Sequence, residues 1–519
     1  MESQSYEAFV GDKLNSRSRK ASRVSTLAAI KPAYILSVLI IGLYIAGRLW
    51  GLTDYSLGYD EITSLIWARY SWSDLFDVLV YDAVHPPLFY VLLKLWIGIG
   101  GESLLWLKLF PVVTATIAII PLLLLCRELK LRAAETNLAL LLMAVNGYLI
   151  HYAQELRMYS LSLCFTLFSL WLFVRYLNWT GSSLKKPLLA LFAANLLLIY
   201  SHYYGWLVIG TQFVILLLWN RRKLLPYMIA MAGLILCFGS WAFLATQAAV
   251  KKGGLSTNLW YARPRLHNLF QLYVVFSGPF YTGWIHSSWK VFTGLLALVL
   301  FLSPVAFWAW QILRGDRTES ERQANVLGWL SLFALLPVVF SFAVSYVLPH
   351  SVFSQRYLII AAAPYMLLVA VAVYKLRPNW VRAAAVFLIV GWAALSGFKW
   401  VTEFGRTDSV TRINWEVLVS QMISAEPLQS DGITLYADSN AEGNLKFHLR
   451  EANEGKFQVV MFEKIDDIAA VNKDHFWVGI IDPKGEMREL QELLISKGYR
   501  VGEGFREGRK VHLFPVWRQ

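Results

Sequence analysis

The sequence is short of charge. Only 16% of its 519 residues are Asp, Glu, Lys or Arg, against about 25% in soluble domains, which excludes a soluble globular protein. Cysteine is scarcer still. Cys126, Cys164 and Cys237 all lie inside or at the ends of apolar runs, and none falls in the polar C-terminal part, so there is no disulfide framework to read. The chain has no G-x-x-x-x-G-K-[ST], no Rossmann fingerprint behind an expected strand and no Cys/His group at zinc spacing, which removes those nucleotide and zinc chemistries. Internal repeats and low-complexity tracts are also missing. The net charge of +13 is not gathered in one basic patch. It sits in short clusters between apolar runs, as membrane topology requires, and nucleic acid is not an expected partner.

What is present is apolar length. Residues 57% hydrophobic, with 22 Trp, are arranged in runs of about 17–25 that can cross a bilayer as helices. They recur from residue 33 to about 400. The fold class is therefore mainly α, a polytopic transmembrane helical bundle. Residues 1–32 form a polar, basic tail. The run behind it is too long for a signal-peptide core and lacks a small-x-small cleavage site, so the tail is expected in the cytoplasm with a retained first helix after it.

Basic clusters mark the cytoplasmic loops: Arg127, Lys130 and Arg132; Arg175, Lys185 and Lys186; Arg221, Arg222 and Lys223; Arg314, Arg317 and Arg322; Lys375, Arg377 and Arg382. Parity between clusters decides the status of residues 88–100, which are apolar but short and contain Lys94. Counting them as a crossing would put R-E-L-K-L-R outside, so an interfacial or re-entrant helix is expected there. The spans are then 33–50, 104–126, 135–150, 158–174, 187–200, 203–219, 225–247, 289–313, 326–348, 357–374 and 382–400. That makes eleven crossings, N-terminus in and C-terminus out. Residues 401–519 change character, with short β-like runs (I-T-L-Y-A, F-Q-V-V-M-F, H-F-W-V-G-I-I, K-V-H-L-F-P-V-W) alternating with amphipathic stretches such as E-M-R-E-L-Q-E-L-L-I. They read as a small extracytoplasmic α/β domain, which either binds a substrate or covers a cavity.

With this topology the polar residues collect on one face. The first outer loop, 51–103, carries G-Y-D-E-I-T-S-L-I-W and Y-D-A-V-H-P-P-L-F-Y. Later outer loops carry H-Y-A-Q-E-L-R-M-Y (151–159), Y-S-H-Y-Y-G (200–205), an aromatic stretch (248–288) and P-H-S-V-F-S-Q-R-Y (349–357). Each has an ordinary structural reading. Asp60 caps a short helix, Pro86 and Pro87 start one, and Glu155 pairs with Arg157. His202, Tyr203 and Tyr204 form an interfacial aromatic belt, and Arg356 snorkels. Their joint appearance on one face favours a functional reading.

Y-D-E, H-P-P-L about 25 residues later, and Y-A-Q-E-L-R-M-Y-S-L after one hairpin resemble the GT-C glycosyltransferases of the protein-mannosyltransferase and aminoarabinose-transferase type. The resemblance implies a polyprenyl-phosphate sugar donor, hexosyl or pentosyl, and transfer to a protein, lipid or glycan acceptor on the outer face of a cell membrane; the lack of outer cysteines and the compact loops point to a bacterial inner membrane. The resemblance makes Asp60 the general base of an inverting reaction, with Glu61 positioning the acceptor or a metal. His85, Arg157 and Arg356 are then the donor-phosphate ligands. Glu155, Tyr59, Tyr152, Tyr159, His202 and Tyr203 are the residues for sugar, acceptor or prenyl. No cofactor is required, and a divalent ion at Asp60 and Glu61 is left open. The alternative, a transporter or flippase of a lipid-linked sugar, calls for charges within spans and for broken helices. The expected spans are mostly Leu, Ala, Val and Phe with charges at their ends.

Overall fold

The computed structural model describes residues 32–251, 262–278, 288–314, 321–402, 413–426, 432–452, 455–463, 467–468, 471, 473–481, 487–507 and 511–519. The basic N-terminal tail and parts of the aromatic stretch 248–288 lie outside the described residues.

Each of the eleven expected spans falls on helix. Among the described residues, seven helices are long and apolar enough to cross a membrane, or eight if one bent pair is a single span. Pro32–Leu49, Lys185–Ser201 and Gly205–Trp219 are shorter. Leu88–Gly100 has 13 residues, about 20 Å at 1.5 Å per residue, which falls short of the roughly 30 Å apolar core. Lys94 has a local task in that helix. Its Nζ donates to Ala68 O at 3.0 Å and to Tyr70 O, covering the last carbonyls of the helix Tyr59–Arg69 as a cation does best at a C-terminus.

The stretch 135–150, expected as one span, departs from a continuous helix. Ala133–Val145 and Gly147–Gln154 meet at 59°. The break sits at Asn146, whose backbone is extended and whose Oδ1 accepts the Leu149 N–H, so that it caps the second half. Its Nδ2 donates to Val275 O and Phe276 O. Carbonyls orphaned at the end of the first half are taken by Arg48, fully buried, which donates to Met143 O at 3.1 Å and Ala144 O at 3.4 Å. Gln154 Nε2 donates back to Arg48 O and Trp50 O. The short helix Gly147–Gln154 is thereby fixed against the first span, with the loop 155–158 behind it.

The C-terminal part contains the four expected strands, β1 (Ile433–Asp438), β2 (Phe457–Phe462), β3 (His475–Ile481) and β6 (Val511–Arg518), and two short ones besides, β4 (Tyr499–Val501) and β5 (Phe505–Glu507). They form one sheet in the order β2-β1-β3-β6-β4, with β5 also on β6. β1 is parallel to β2 and β3, whereas β6 is antiparallel to its partners. The helix Glu442–Glu451 is the crossover from β1 to β2. Met487–Ser496, between β3 and β4, is the helix expected from E-M-R-E-L-Q-E-L-L-I.

This domain sits on the segment that leads into the acidic pair. Ser56 Oγ donates to Ile413 O at 3.0 Å and accepts the Trp415 N–H at 2.9 Å. His448 Nε2 donates to Leu57 O at 3.5 Å. Arg69 bridges Glu102 at 2.6 Å and Glu451 at 2.9 Å. Tyr59 lies so close to Gly443 that a Cβ there would stand 2.7 Å from its ring.

Candidate active site

The adjacent carboxylates have unlike surroundings. Both lie in the first turn of Tyr59–Arg69, where the helix dipole favours negative charge. Glu61, at the third helical position, returns to cap its own helix: Oε2 accepts the Gly58 N–H at 2.9 Å. Its Oε1 accepts the Leu156 N–H at 2.7 Å. The side chain is buried and joins the acidic helix to the loop 155–158. Capping falls to Glu61, the residue that the sequence alone left as a partner in the chemistry.

Asp60 turns the other way, with its side chain 40% exposed and Oδ2 accepting from Arg356 Nη1 at 2.8 Å. Burial pushes its carboxyl upward, but Arg157 and Arg356 nearby, and the Arg356 hydrogen bond, outweigh that. Its pKa is held below the ordinary carboxylate value, and Asp60 is ionised at neutral pH.

Arg157 is buried under the same helix. Nη1 donates to Asp60 O at 3.2 Å and Ser64 Oγ at 3.0 Å, and Nη2 to His85 Nε2 at 3.2 Å. Its Nε has no partner among the described residues. A guanidinium only donates, so His85 Nε2 accepts and its proton stands on Nδ1, 3.3 Å from Asp82 Oδ2. Burial lowers the His85 pKa, Asp82 pulls it back in part and Arg157 lowers it further. The imidazole is neutral at pH 7. The expected protonated or donating His85 at a phosphate is replaced by one that accepts from Arg157 and orients it, because burial and the guanidinium both oppose its charge.

Glu155 does not pair with Arg157. Its Oε2 stands 3.6 Å from His151 Nε2. Burial is the largest push on this carboxyl, Glu61 adds to it and Arg356 opposes. The pKa rises from 4.5 to about 8, leaving a mostly neutral acid at pH 7. Since the folded-state value is the raised one, the stability tied to this group is whole below about pH 4.5 and declines until pH passes about 8. Activity should fall on the alkaline side near pH 8. Glu155→Gln, which mimics the neutral acid, should keep the neutral-pH rate within a few-fold and move that fall upward. A pH–rate profile left in place by Glu155→Gln would assign the alkaline limb to another group.

The aromatic candidates divide. Tyr152 and Tyr159 are buried, 4.7 Å apart at ring centroids, and Tyr159 OH has no partner among the described residues. His202 is buried against Tyr357, accepts the Tyr204 N–H at Nδ1, and is kept neutral first by burial and then by the charges of its neighbours. Tyr203 has a structural post. Its OH donates to Ala83 O and accepts from Trp241 Nε1, tying the helix Trp72–Asp82 to Arg221–Lys251.

A cavity of about 520 Å³ opens over Asp60. Tyr59, Asp60, Glu61, His151, Gln154, Glu155 and Arg356 line it from the bundle. Trp415, Ser439, Asn440, Asn444 and Ile481 line it from the C-terminal domain. Lys108 lines it too, buried within Leu104–Ile117. The sequence reading passed over this residue as part of a span, although a lysine inside an apolar run is itself a functional signal. His85, Arg157, Tyr152, Tyr159, His202 and Tyr203 are not among the lining residues. In the acidic pair both Glu61 oxygens take backbone N–H groups, and Asp60 Oδ2 takes Arg356. Among the described residues no three His, Cys, Asp or Glu are grouped as metal ligands.

No family model and no curated protein matches the sequence. Among solved structures, the chain is similar to ArnT from Cupriavidus metallidurans bound to undecaprenyl phosphate. The TM-score is 0.57 at 12% identity, covering 94% of this chain and 98% of that one. ArnT from the same organism in the apo state gives 0.54 at 12% identity, covering 93% and 97%. Identity this low speaks for the fold alone. The fold expected from the motifs is the one found: an integral membrane chain with the fold of ArnT.

Proposed function

We propose that this protein transfers a sugar from a polyprenyl-phosphate donor to an acceptor at the outer face of the membrane. The observation that carries the reading is Asp60: one ionised, partly exposed carboxylate at a cavity wall, flanked by two guanidinium groups where the bundle meets the C-terminal domain. The ArnT whose fold this chain shares was solved with undecaprenyl phosphate, which agrees with such a donor.

In the reaction, the acceptor hydroxyl oxygen bonds to the anomeric carbon while the bond from that carbon to the phosphate oxygen breaks. The hydroxyl proton passes to Asp60, and the electron pair leaves on the polyprenyl phosphate. Attack from the face opposite the phosphate inverts the anomeric centre. A carboxylate of lowered pKa is a weak base, which suits late proton transfer, from a hydroxyl already acidified by its bond to the sugar. Charge growing on the phosphate is met by Arg356 and Lys108, which line the cavity, while Arg157, buried behind the wall, adds its positive charge at longer range. His85 positions Arg157 and Glu61 positions the helix. No metal step is needed in this scheme.

A broken span, as between Ala133–Val145 and Gly147–Gln154, is also what a transporter would show. Here the Met143 and Ala144 carbonyls and the Leu149 N–H at the break are engaged by Arg48 and Asn146. The test is donor consumption by the purified protein in nanodiscs, across a panel of polyprenyl-phosphate sugars. Consumption of one donor, lost in Asp60→Asn, supports the transferase. A protein that neither consumes nor binds any of them overturns it.

A further inference from the structure

The cavity has two unlike walls. The bundle contributes carboxylates and cations. The C-terminal domain contributes Trp415, Ser439, Asn440, Asn444 and Ile481, none of them charged. Ser439 and Asn440 belong to the turn that leaves β1, at the carboxyl ends of the parallel strands, where open α/β sheets take ligands. That turn is rigid: Asp438 Oδ1 accepts the N–H groups of Asn440 at 3.1 Å and Ala441 at 2.7 Å, and Oδ2 accepts the Ile481 N–H at 2.9 Å. Asn444 follows in the first turn of Glu442–Glu451, where its Nδ2 donates to Asn440 O at 3.2 Å. Its Oδ1 has no partner among the described residues, although the residue is only 4% exposed. A buried amide oxygen without a donor is rare in a folded chain, and it fits an O–H brought by a ligand.

We propose that Ser439, Asn440 and Asn444 form the acceptor subsite, and that it takes a neutral, hydroxyl-bearing sugar of the acceptor. This rests on the transferase reading above. Amide and hydroxyl groups match sugar hydroxyls, and the carboxylate beside them, Asp438, is already taken up by backbone N–H groups, whereas an acceptor phosphate would lose its water against this wall without a cation to replace it. The donor phosphate is drawn to the cations of the other wall, and Asp60 lines the same cavity. A hydroxyl held against the C-terminal domain therefore reaches the anomeric carbon from the side away from the phosphate. The contact of Tyr59 with Gly443 keeps the two walls in register.

The test uses the full chain in nanodiscs with the donor it consumes. Octyl glycosides of neutral sugars and a Ser/Thr-containing peptide serve as acceptor probes. A neutral glycoside should accelerate donor consumption and be recovered extended by one sugar. Asn444→Leu should raise the KM for that glycoside at least tenfold and the donor KM less than twofold. If Asn444→Leu does not fold, judged by its melting curve, Asn440→Ala and Ser439→Ala at exposed positions carry the same comparison. A rise in donor KM instead, an unchanged glycoside KM, or transfer to the peptide alone overturns the subsite. A wild-type protein that neither binds any donor nor consumes one with any acceptor present overturns the transferase reading and this one with it.

Discussion

Asp60→Asn should abolish sugar transfer and leave the protein folded. The side chain keeps its size and one acceptor oxygen for Arg356, so the 2.8 Å contact survives as a weaker hydrogen bond. What disappears is the group that takes a proton. General-base catalysis is worth about 10²–10⁴-fold, and kcat should fall by that factor with the melting temperature within a few degrees of wild type. The loss of the negative charge also frees Arg356 to hold the donor phosphate, so the donor KM should hold or fall. Quantifying donor consumption and melting on the same nanodisc preparation decides the matter. A variant within tenfold of wild type would remove Asp60 from the proton transfer, and a variant that melts early would make it structural.

The sequence made the helical layout legible because spanning a bilayer demands long apolar runs, and nothing else in the chain has that length. The same holds for the four β-like runs of the C-terminal part, which alternate with one strongly amphipathic helix. The departures are places where one side chain overrides the run it sits in. Asn146 breaks the stretch 135–150 because its side chain caps a new helix, and Arg48, the last charge of an apolar run, takes the carbonyls this exposes. A hydropathy pattern has no signal for either. Lys108 falls inside the expected span 104–126, and its position on the cavity depends on how the helix Leu104–Ile117 is turned. Tyr203 sat in an aromatic cluster that fits a sugar site equally well, yet its hydroxyl is spent on Ala83 and Trp241.

The division between Asp60 and Glu61 was the least legible feature, and it carries the second large effect. The two residues are neighbours of one chemical type, and only the fold of the loop 155–158 tells them apart. Glu61→Leu should destabilise the protein strongly. It leaves the buried N–H of Leu156 and the half-buried N–H of Gly58 without an acceptor. At about 1–3 kcal/mol for a buried group left unmade, and less for Gly58, which water can reach, the loss is roughly 2–4 kcal/mol, a large fraction of the usual 5–15 kcal/mol margin. Glu61→Gln keeps one acceptor oxygen and should lose about half as much. Activity should fall in both, since Arg157 stands next to Leu156 and its guanidinium needs Asp60 O and Ser64 on the helix that Glu61 secures. The order of melting temperatures, wild type above Glu61→Gln above Glu61→Leu, with Asp60→Asn close to wild type, separates a carboxylate that builds the site from one that works in it. Should Glu61→Leu melt like wild type while losing all transfer, the capping role fails, and both carboxylates belong to the chemistry.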